Sequence, residues 1–163
     1  MWSIISVLVE NKPGVLFRVT NMFRARNFNI ESLSVGPTEQ SDLSRITITI
    51  NGDELIIGQV VKQLAKLVDV VDVARLDTNN TVYRELALIK LKIKDPKERL
   101  EIINLANIFR GKIVDISKGT IMIEITGTSD KINALLALVK EYNIIELART
   151  GITALRRGAL DEQ

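Results

Sequence analysis

One order of apolar patterning occurs twice in this chain, and it limits the fold more than any other feature. Alternation with the period of a strand gives way to a helical stripe and then returns. The order reads strand, helix, strand, strand, helix, strand, and then repeats. In the first copy Ser3–Glu10 alternates, with Ile5, Val7 and Val9 on one face. Pro13-Gly14 breaks the pattern. The spacing of Val15, Val19, Met22 and Phe23 predicts a helix over Val15–Arg26. Ile30–Val35 reads as a second strand and Gly36–Asp42 as a polar loop. Arg45–Asn51 alternates again, Ile46, Ile48 and Ile50 inward and Thr47 and Thr49 outward. After Gly52-Asp53, a helix running to about Lys66 carries Ile57, Val60, Val61, Leu64 and Leu67 on its apolar side, and Val68–Leu76 closes the copy as a strand.

The polar stretch Asp77-Thr78-Asn79-Asn80-Thr81 reads as a linker. Beyond it, Leu86–Ile93 is a strand, and Asp95-Pro96 signals a helix start, Asp as cap and Pro in the first turn. That helix reaches Phe109. Gly111–Ser117 and Thr120–Thr126 form a hairpin, Ser129–Tyr142 a helix and Ile144–Leu155 mostly a strand. The polar tail after Arg156 is expected to fray. The fold class is therefore α+β: two tandem ferredoxin-like βαββαβ domains of about 75–80 residues each, a workable minimal size. Right-handed crossovers give each an antiparallel sheet of order 4-1-3-2 with its helices on one face. The expected scheme is a domain at 1–76, a linker at 77–81 and a second domain at 82–163.

Composition removes whole classes of chemistry. Cys and His are both absent, so thiol nucleophiles, disulfides, Cys/His metal sites and imidazole bases are excluded. The 22 basic and 20 acidic residues nearly cancel, and aromatics are 4% of the chain, which disfavours nucleic acid as a partner. An RNA-binding domain of this topology would carry aromatics on its middle strands, where Ile, Val and Thr stand here. An acyl-phosphate hydrolase of the same topology would want an Arg in the first loop, and Lys12 is a poor bidentate substitute. No apolar run is long enough for a bilayer, and no basic segment precedes the first apolar run, so no membrane partner is expected and the location read is the cytoplasm.

The loop Asn11-Lys12-Pro13-Gly14-Val15-Leu16 joins the first strand to the first helix. A helix opens with backbone N–H groups that lack intrahelical partners and with the positive end of its dipole, which suits a carboxylate. Gly14 lets the backbone approach a ligand closely. Asn11 offers a carbonyl to an ammonium group, and Val15 and Leu16 offer apolar contact. Together they suit a small zwitterion with an aliphatic side chain; a plain Pro-Gly turn is the alternative. Asn29, before the second strand, is the other candidate. The first and second strands run parallel, so Asn29 and Gly14 lie at opposite ends of one sheet. Antiparallel pairing of two copies through the second strand would bring Asn29 of one near Gly14 of the other. Lys90, Lys92 and Lys94 read as a solvated face, and Arg149, Arg156 and Arg157 as an ordinary basic end.

These residues also carry a resemblance. The string from Ser6 through Leu16, Asn29-Ile30-Glu31-Ser32-Leu33 and Leu43-Ser44-Arg45-Ile46-Thr47 resembles an ACT domain, and more narrowly the small regulatory subunits of acetohydroxyacid synthase, also called acetolactate synthase. Arg84-Glu85-Leu86, Ile108-Phe109-Arg110-Gly111, Gly127-Thr128-Ser129 with Lys131, and Ala148-Arg149-Thr150-Gly151 resemble that family's C-terminal domain. The resemblance implies a chain with no catalytic residue and no cofactor of its own. Its partner would be a catalytic large subunit that uses thiamine diphosphate (ThDP), Mg²⁺ and often FAD to condense pyruvate with pyruvate or 2-oxobutyrate. The chain would stimulate that subunit and confer feedback inhibition by valine or another branched-chain amino acid. It would pair as a homodimer through the ACT domain. The implied effector contacts match Asn11, Gly14 and Asn29, with Lys12, Pro13, Val15, Leu16 and Ile30 beside them. An ACT-type sensor serving a different enzyme is the nearest alternative.

Overall fold

The computed structural model describes residues 1–158. Its elements are β1 (Trp2–Glu10), α1 (Val15–Ala25), β2 (Ser32–Pro37), β3 (Leu43–Asn51), α2 (Glu54–Ala65) and β4 (Val70–Leu76), then a 3₁₀ turn at Thr78–Asn80. After the turn come β5 (Thr81–Lys92), α3 (Pro96–Ile108), β6 (Lys112–Ile116), β7 (Thr120–Gly127), α4 (Ser129–Val139), β8 (Asn143–Arg149) and β9 (Thr153–Arg156). Among the described residues no helix is long and apolar enough to cross a membrane.

The sheet orders are β2-β3-β1-β4 and β6-β7-β5-β8, the expected ferredoxin-like order in both halves, with antiparallel neighbours throughout. In the first unit Ile5, Val7 and Val9 of β1 and Ile46, Ile48 and Ile50 of β3 pack beneath Val19, Met22 and Phe23 of α1 and Ile57, Val60 and Leu64 of α2. Each such side chain removed from water contributes about 1.5–3 kcal/mol. In the second unit Ile89, Leu91, Ile121, Ile123 and Ile125 meet Ile102 and Ala106 of α3 and Ile132, Leu135 and Val139 of α4.

The helices start and stop for local reasons. Asp53 accepts from the Ile56 amide at 2.8 Å and caps α2; Asp95 accepts from Glu98 at 2.8 Å and caps α3, with Pro96 in the first turn. Both α1 and α3 end in the same way. The Phe28 amide reaches back to the Phe23 carbonyl at 2.9 Å and Asn27 to Arg24 at 3.1 Å, with Asn27 at φ 56°. In the second unit Gly111 reaches Ala106 at 2.7 Å and Arg110 reaches Asn107 at 3.0 Å, with Arg110 at φ 57°. Both are Schellman closures, in which a left-handed residue satisfies the last helical carbonyls.

The structure departs from the sequence reading in three places. Strand β2 begins at Ser32, so Asn29 and Ile30 lie in the stretch before it; Phe28 and Ile30 pack partly against the core from that stretch. The segment 77–81 is a turn capped by Asp77, whose carboxylate accepts from Asn79 at 3.1 Å, and Thr81 already belongs to β5. The chain divides into one unit of Met1–Tyr83 with Gly151 onward and another of Arg84–Thr150. The boundary therefore falls inside β5, and the expected last strand is two: β8 stays in the second unit and β9 belongs to the first. The expected frayed tail falls partly on 159–163, which lie outside the described residues.

This return explains the outer face of the first sheet. Thr47 and Thr49 lie on the face away from the helices, yet both are buried, as is Ser6. Ile152 and Ala154 form a small core there with Ile4 and Leu76, flanked by Trp2 and Tyr83. Covered hydroxyls keep hydrogen bonds: Thr49 pairs with Ser32 at 2.6 Å and Ser6 accepts from Arg45 Nη1 at 2.7 Å, while Ser34 pairs with Thr153 of β9 at 2.9 Å. Gly151 makes the approach possible. A Cβ there would sit 2.4 Å from the Leu33 carbonyl oxygen, against backbone that cannot give way. Gly151→Val is therefore expected to destabilise the first unit by about 1–3 kcal/mol. The check is denaturant unfolding, with amide exchange of β9 rising first.

Candidate functional site

The turn between β1 and α1 is held at both ends by backbone bonds. The Glu10 amide donates to the Asp69 carbonyl at 2.9 Å and the Asn11 amide to Asp42 at 2.8 Å. On the helix side the Arg18 amide donates to Gly14 at 3.1 Å. Gly14 is the N-cap of α1, at φ 83° and ψ −7°, and no side chain caps the helix. The first turn of α1 contains no acidic residue. The amides of Leu16 and Phe17 thus open the helix without an intrahelical acceptor and without an acidic side chain in the helix's own first turn, a setting that favours an anion.

The candidate residues fall into distinct roles. Asn11 donates through Nδ2 to the Ser41 carbonyl at 3.2 Å, which leaves Oδ1 as its acceptor. Lys12 is exposed and pairs with Glu10 at 2.9 Å; that hydrogen bond raises its ammonium above the usual lysine range. Pro13 is exposed. Val15 is 3% exposed and belongs to the core, so its apolar contact goes inward. Outward apolar surface at this end comes from Leu16, 41% exposed, and from Phe17, 69% exposed, which sequence reasoning did not single out. Asn29 is exposed and Ile30 half-buried.

Asn29 owes its place to the closure of α1. Phe28 packs edge-on against Phe23 with ring centroids 6.5 Å apart, and the residue after it emerges in the short stretch that leads to β2. The register then fixes its distance from Gly14. Ser32 pairs with Thr49, and Thr49 with Ile4, whereas the turn begins after Glu10, which pairs with Leu43. Six strand residues separate the two ends, roughly 20 Å. The structure brings Asn11, Lys12, Pro13, Gly14 and Leu16 together and leaves Asn29 and Ile30 at the far end of the same sheet.

Residues 5–72 match the model of an AHAS small subunit-like ACT domain, and residues 84–158 match the model of the small subunit of acetolactate synthase. A probable acetolactate synthase small subunit of Archaeoglobus fulgidus is 53% identical over 94% of this chain and 96% of its own length. The chain belongs to the acetolactate synthase small-subunit family. An acetolactate synthase small subunit of Bacillus subtilis is 45% identical over 97% of the chain and 92% of its own. The crystal structure of the acetolactate synthase small subunit from Thermotoga maritima superposes with a TM-score of 0.92 at 44% identity, over 98% of this chain and 99% of that one.

Within this small-subunit fold two of the other charged candidates, Lys90 and Arg149, serve the structure. Lys90 pairs across β5 and β8 with Glu146 at 2.5 Å and holds that carboxyl below the usual carboxylate range. Arg149 donates to the buried Glu85 at 2.6 Å and to Asn133 at 2.7 Å, while Ser129 also donates to Glu85 at 2.6 Å. Arg149 thus ties β8 to β5 and α4. Two residues near the Gly14 turn went unread in the sequence: Arg18, one helical turn after the cap, and Asp69, from the turn before β4. A side chain at Arg18 tilts back toward the helix start, and this geometry was the available signal.

Gly14 and Gly58 provide a test of the cap. An alanine at 14 would adopt the left-handed region and place its Cβ 3.1 Å from Arg18 Nη1; Gly58 lies inside α2 with no atom within 4 Å of such a Cβ. Gly14→Ala is expected to destabilise by about 1–2 kcal/mol, and Gly58→Ala to stabilise by about 0.5–1 kcal/mol. Chemical denaturation of the two variants should show opposite shifts in midpoint.

Proposed function

We propose that this chain is the non-catalytic regulatory subunit of a cytoplasmic acetolactate synthase. It binds and stimulates the ThDP-dependent catalytic large subunit, and makes that enzyme subject to feedback inhibition by valine or a related branched-chain amino acid. The observation that carries the reading is the uncapped start of α1: a left-handed Gly14 and open amides at Leu16 and Phe17, with Asn11 in the same turn keeping Oδ1 as an acceptor. A carboxylate fits the amides, an ammonium fits Asn11 Oδ1, and Leu16 with Phe17 supplies contact for a short aliphatic chain. The family of the chain supports the partner.

The distance between Asn29 and Gly14 supports a dimeric site. Strand β2 is an edge, and an edge strand is a template for pairing. Antiparallel pairing of β2 with its counterpart sets the Ser32 end of one copy against the Pro37 end of the other. Pro37 pairs with Ser44, next to the Leu43 that opposes Glu10, so that end is the Gly14 end. One effector would then touch the Gly14 turn of one subunit and Asn29 of the other. It acts on the holoenzyme only through unequal affinity for active and inhibited arrangements.

Reconstitution tests this directly. The purified chain is mixed with a purified acetolactate synthase catalytic subunit from the same organism, with and without valine, leucine or isoleucine. Stimulation without effector and inhibition with it are expected. Gly14→Asp and Asn29→Ala should each raise the half-inhibiting concentration at least about tenfold, the worth of a hydrogen bond to a charged group, with stimulation unchanged. Undiminished inhibition in both variants rejects the site; absence of stimulation by the unaltered chain rejects the function.

A further inference from the structure

We infer that Asp69 is a positioning residue for the effector turn, acting through Arg18; this rests on the regulatory reading above and adds a device that holds its site ready. Asp69 comes from the turn between α2 and β4, remote in sequence from the Gly14 loop, and is 8% exposed. It grips the loop twice. Its backbone carbonyl accepts from the Glu10 amide at 2.9 Å, at the point where β1 ends. Its carboxylate Oδ2 accepts from Arg18 Nε at 2.5 Å, on the first turns of α1. One residue therefore fixes the chain before and after the segment Asn11–Gly14.

Arg18 carries the second grip to the cap itself. Its Nη1 lies 3.1 Å from the place a Cβ on Gly14 would occupy, so the guanidinium packs over the bare α-carbon. The arrangement has an electrostatic logic. A cation folded toward the N-terminal end of a helix adds to the positive potential already there. Asp69 offsets that charge on the Nε side, where it is nearly buried, while half of the arginine side chain stays in solvent. A register shift between Leu8 and Val9, opposite the start of β4, brings the strand end beside Asp69. The gain is preorganisation: a turn already ordered does not have to be ordered by the ligand, and that saving appears as affinity.

The test uses the full-length chain and three variants: Asp69→Asn, Arg18→Gln and the pair together. Asn keeps the backbone carbonyl and the side-chain shape but removes the charge. Amide exchange and titration with valine, leucine and isoleucine are measured on each. Both single variants should speed exchange of peptides covering 11–18, leave the second unit's peptides unchanged, and weaken effector binding at least about tenfold. The double variant should bind no more weakly than either single one, because the two residues act as one unit. Unchanged exchange in 11–18, or affinities that fall independently and multiply, overturns the inference. So does a lowered denaturation midpoint with exchange quickened throughout β1 and α2 and effector affinity unaltered, since that marks a merely structural pair. If the unaltered chain binds none of the three amino acids, the regulatory reading falls while the exchange comparison still decides whether Asp69 holds the turn.

Discussion

Alternate burial along β1 and β3 sets everything else in the first unit. Ile5, Val7 and Val9 face the helices, so Ile4, Ser6 and Leu8 must face the other way, and a slip of one residue would exchange the two sets. This register fixes where β1 ends, and hence where the chain turns at Gly14. It also dictates that the second face needs its own cover. The hydroxyl-rich surface of Ser6, Thr47 and Thr49 gets it from Ile152, Ala154 and Tyr83, with the Thr49 hydroxyl paired to Ser32 and the Ser6 hydroxyl accepting from Arg45. A sheet with two covered faces is stiffer than one with a wet side, because close-packed interiors resist deformation.

Much of this was legible from residue order. The stripes of α1, α2 and α4 and the alternation of β3 and β7 gave the elements, and the repeated order gave the topology. Buried threonines were not legible. Thr47 and Thr49 alternate with isoleucines and so read as the wet face; only long-range contacts with the end of the chain bury them. The division between β8 and β9 was missed for the same reason. Ile144 through Leu155 is apolar enough to read as one strand, and the break at Thr150-Gly151 shows its meaning only beside the Leu33 backbone.

The candidate site divides along a similar line. Asn11, Gly14 and Asn29 stand out because each is a residue type with a specific backbone or hydrogen-bonding capacity in a loop. Val15 was ambiguous, since its spacing with Val19 assigns it to the core while its neighbours assign it to the turn; the core claims the side chain. Helix geometry could have pointed to Arg18, but its partner Asp69 could not be read, because an ion pair between residues 51 positions apart leaves no periodic trace.

The path of the chain has an evolutionary consequence. The second unit is an insertion: the polypeptide leaves the first unit after Tyr83 and re-enters it at Gly151. Gene fusion or recombination that exchanged the halves at a single crossover near residue 80 would strip Ile152 and Ala154 from the module they complete and supply a foreign strand in their place. The halves of such a protein are therefore expected to be inherited together, and a transplanted first unit has to carry both separated pieces of its sequence to its new host.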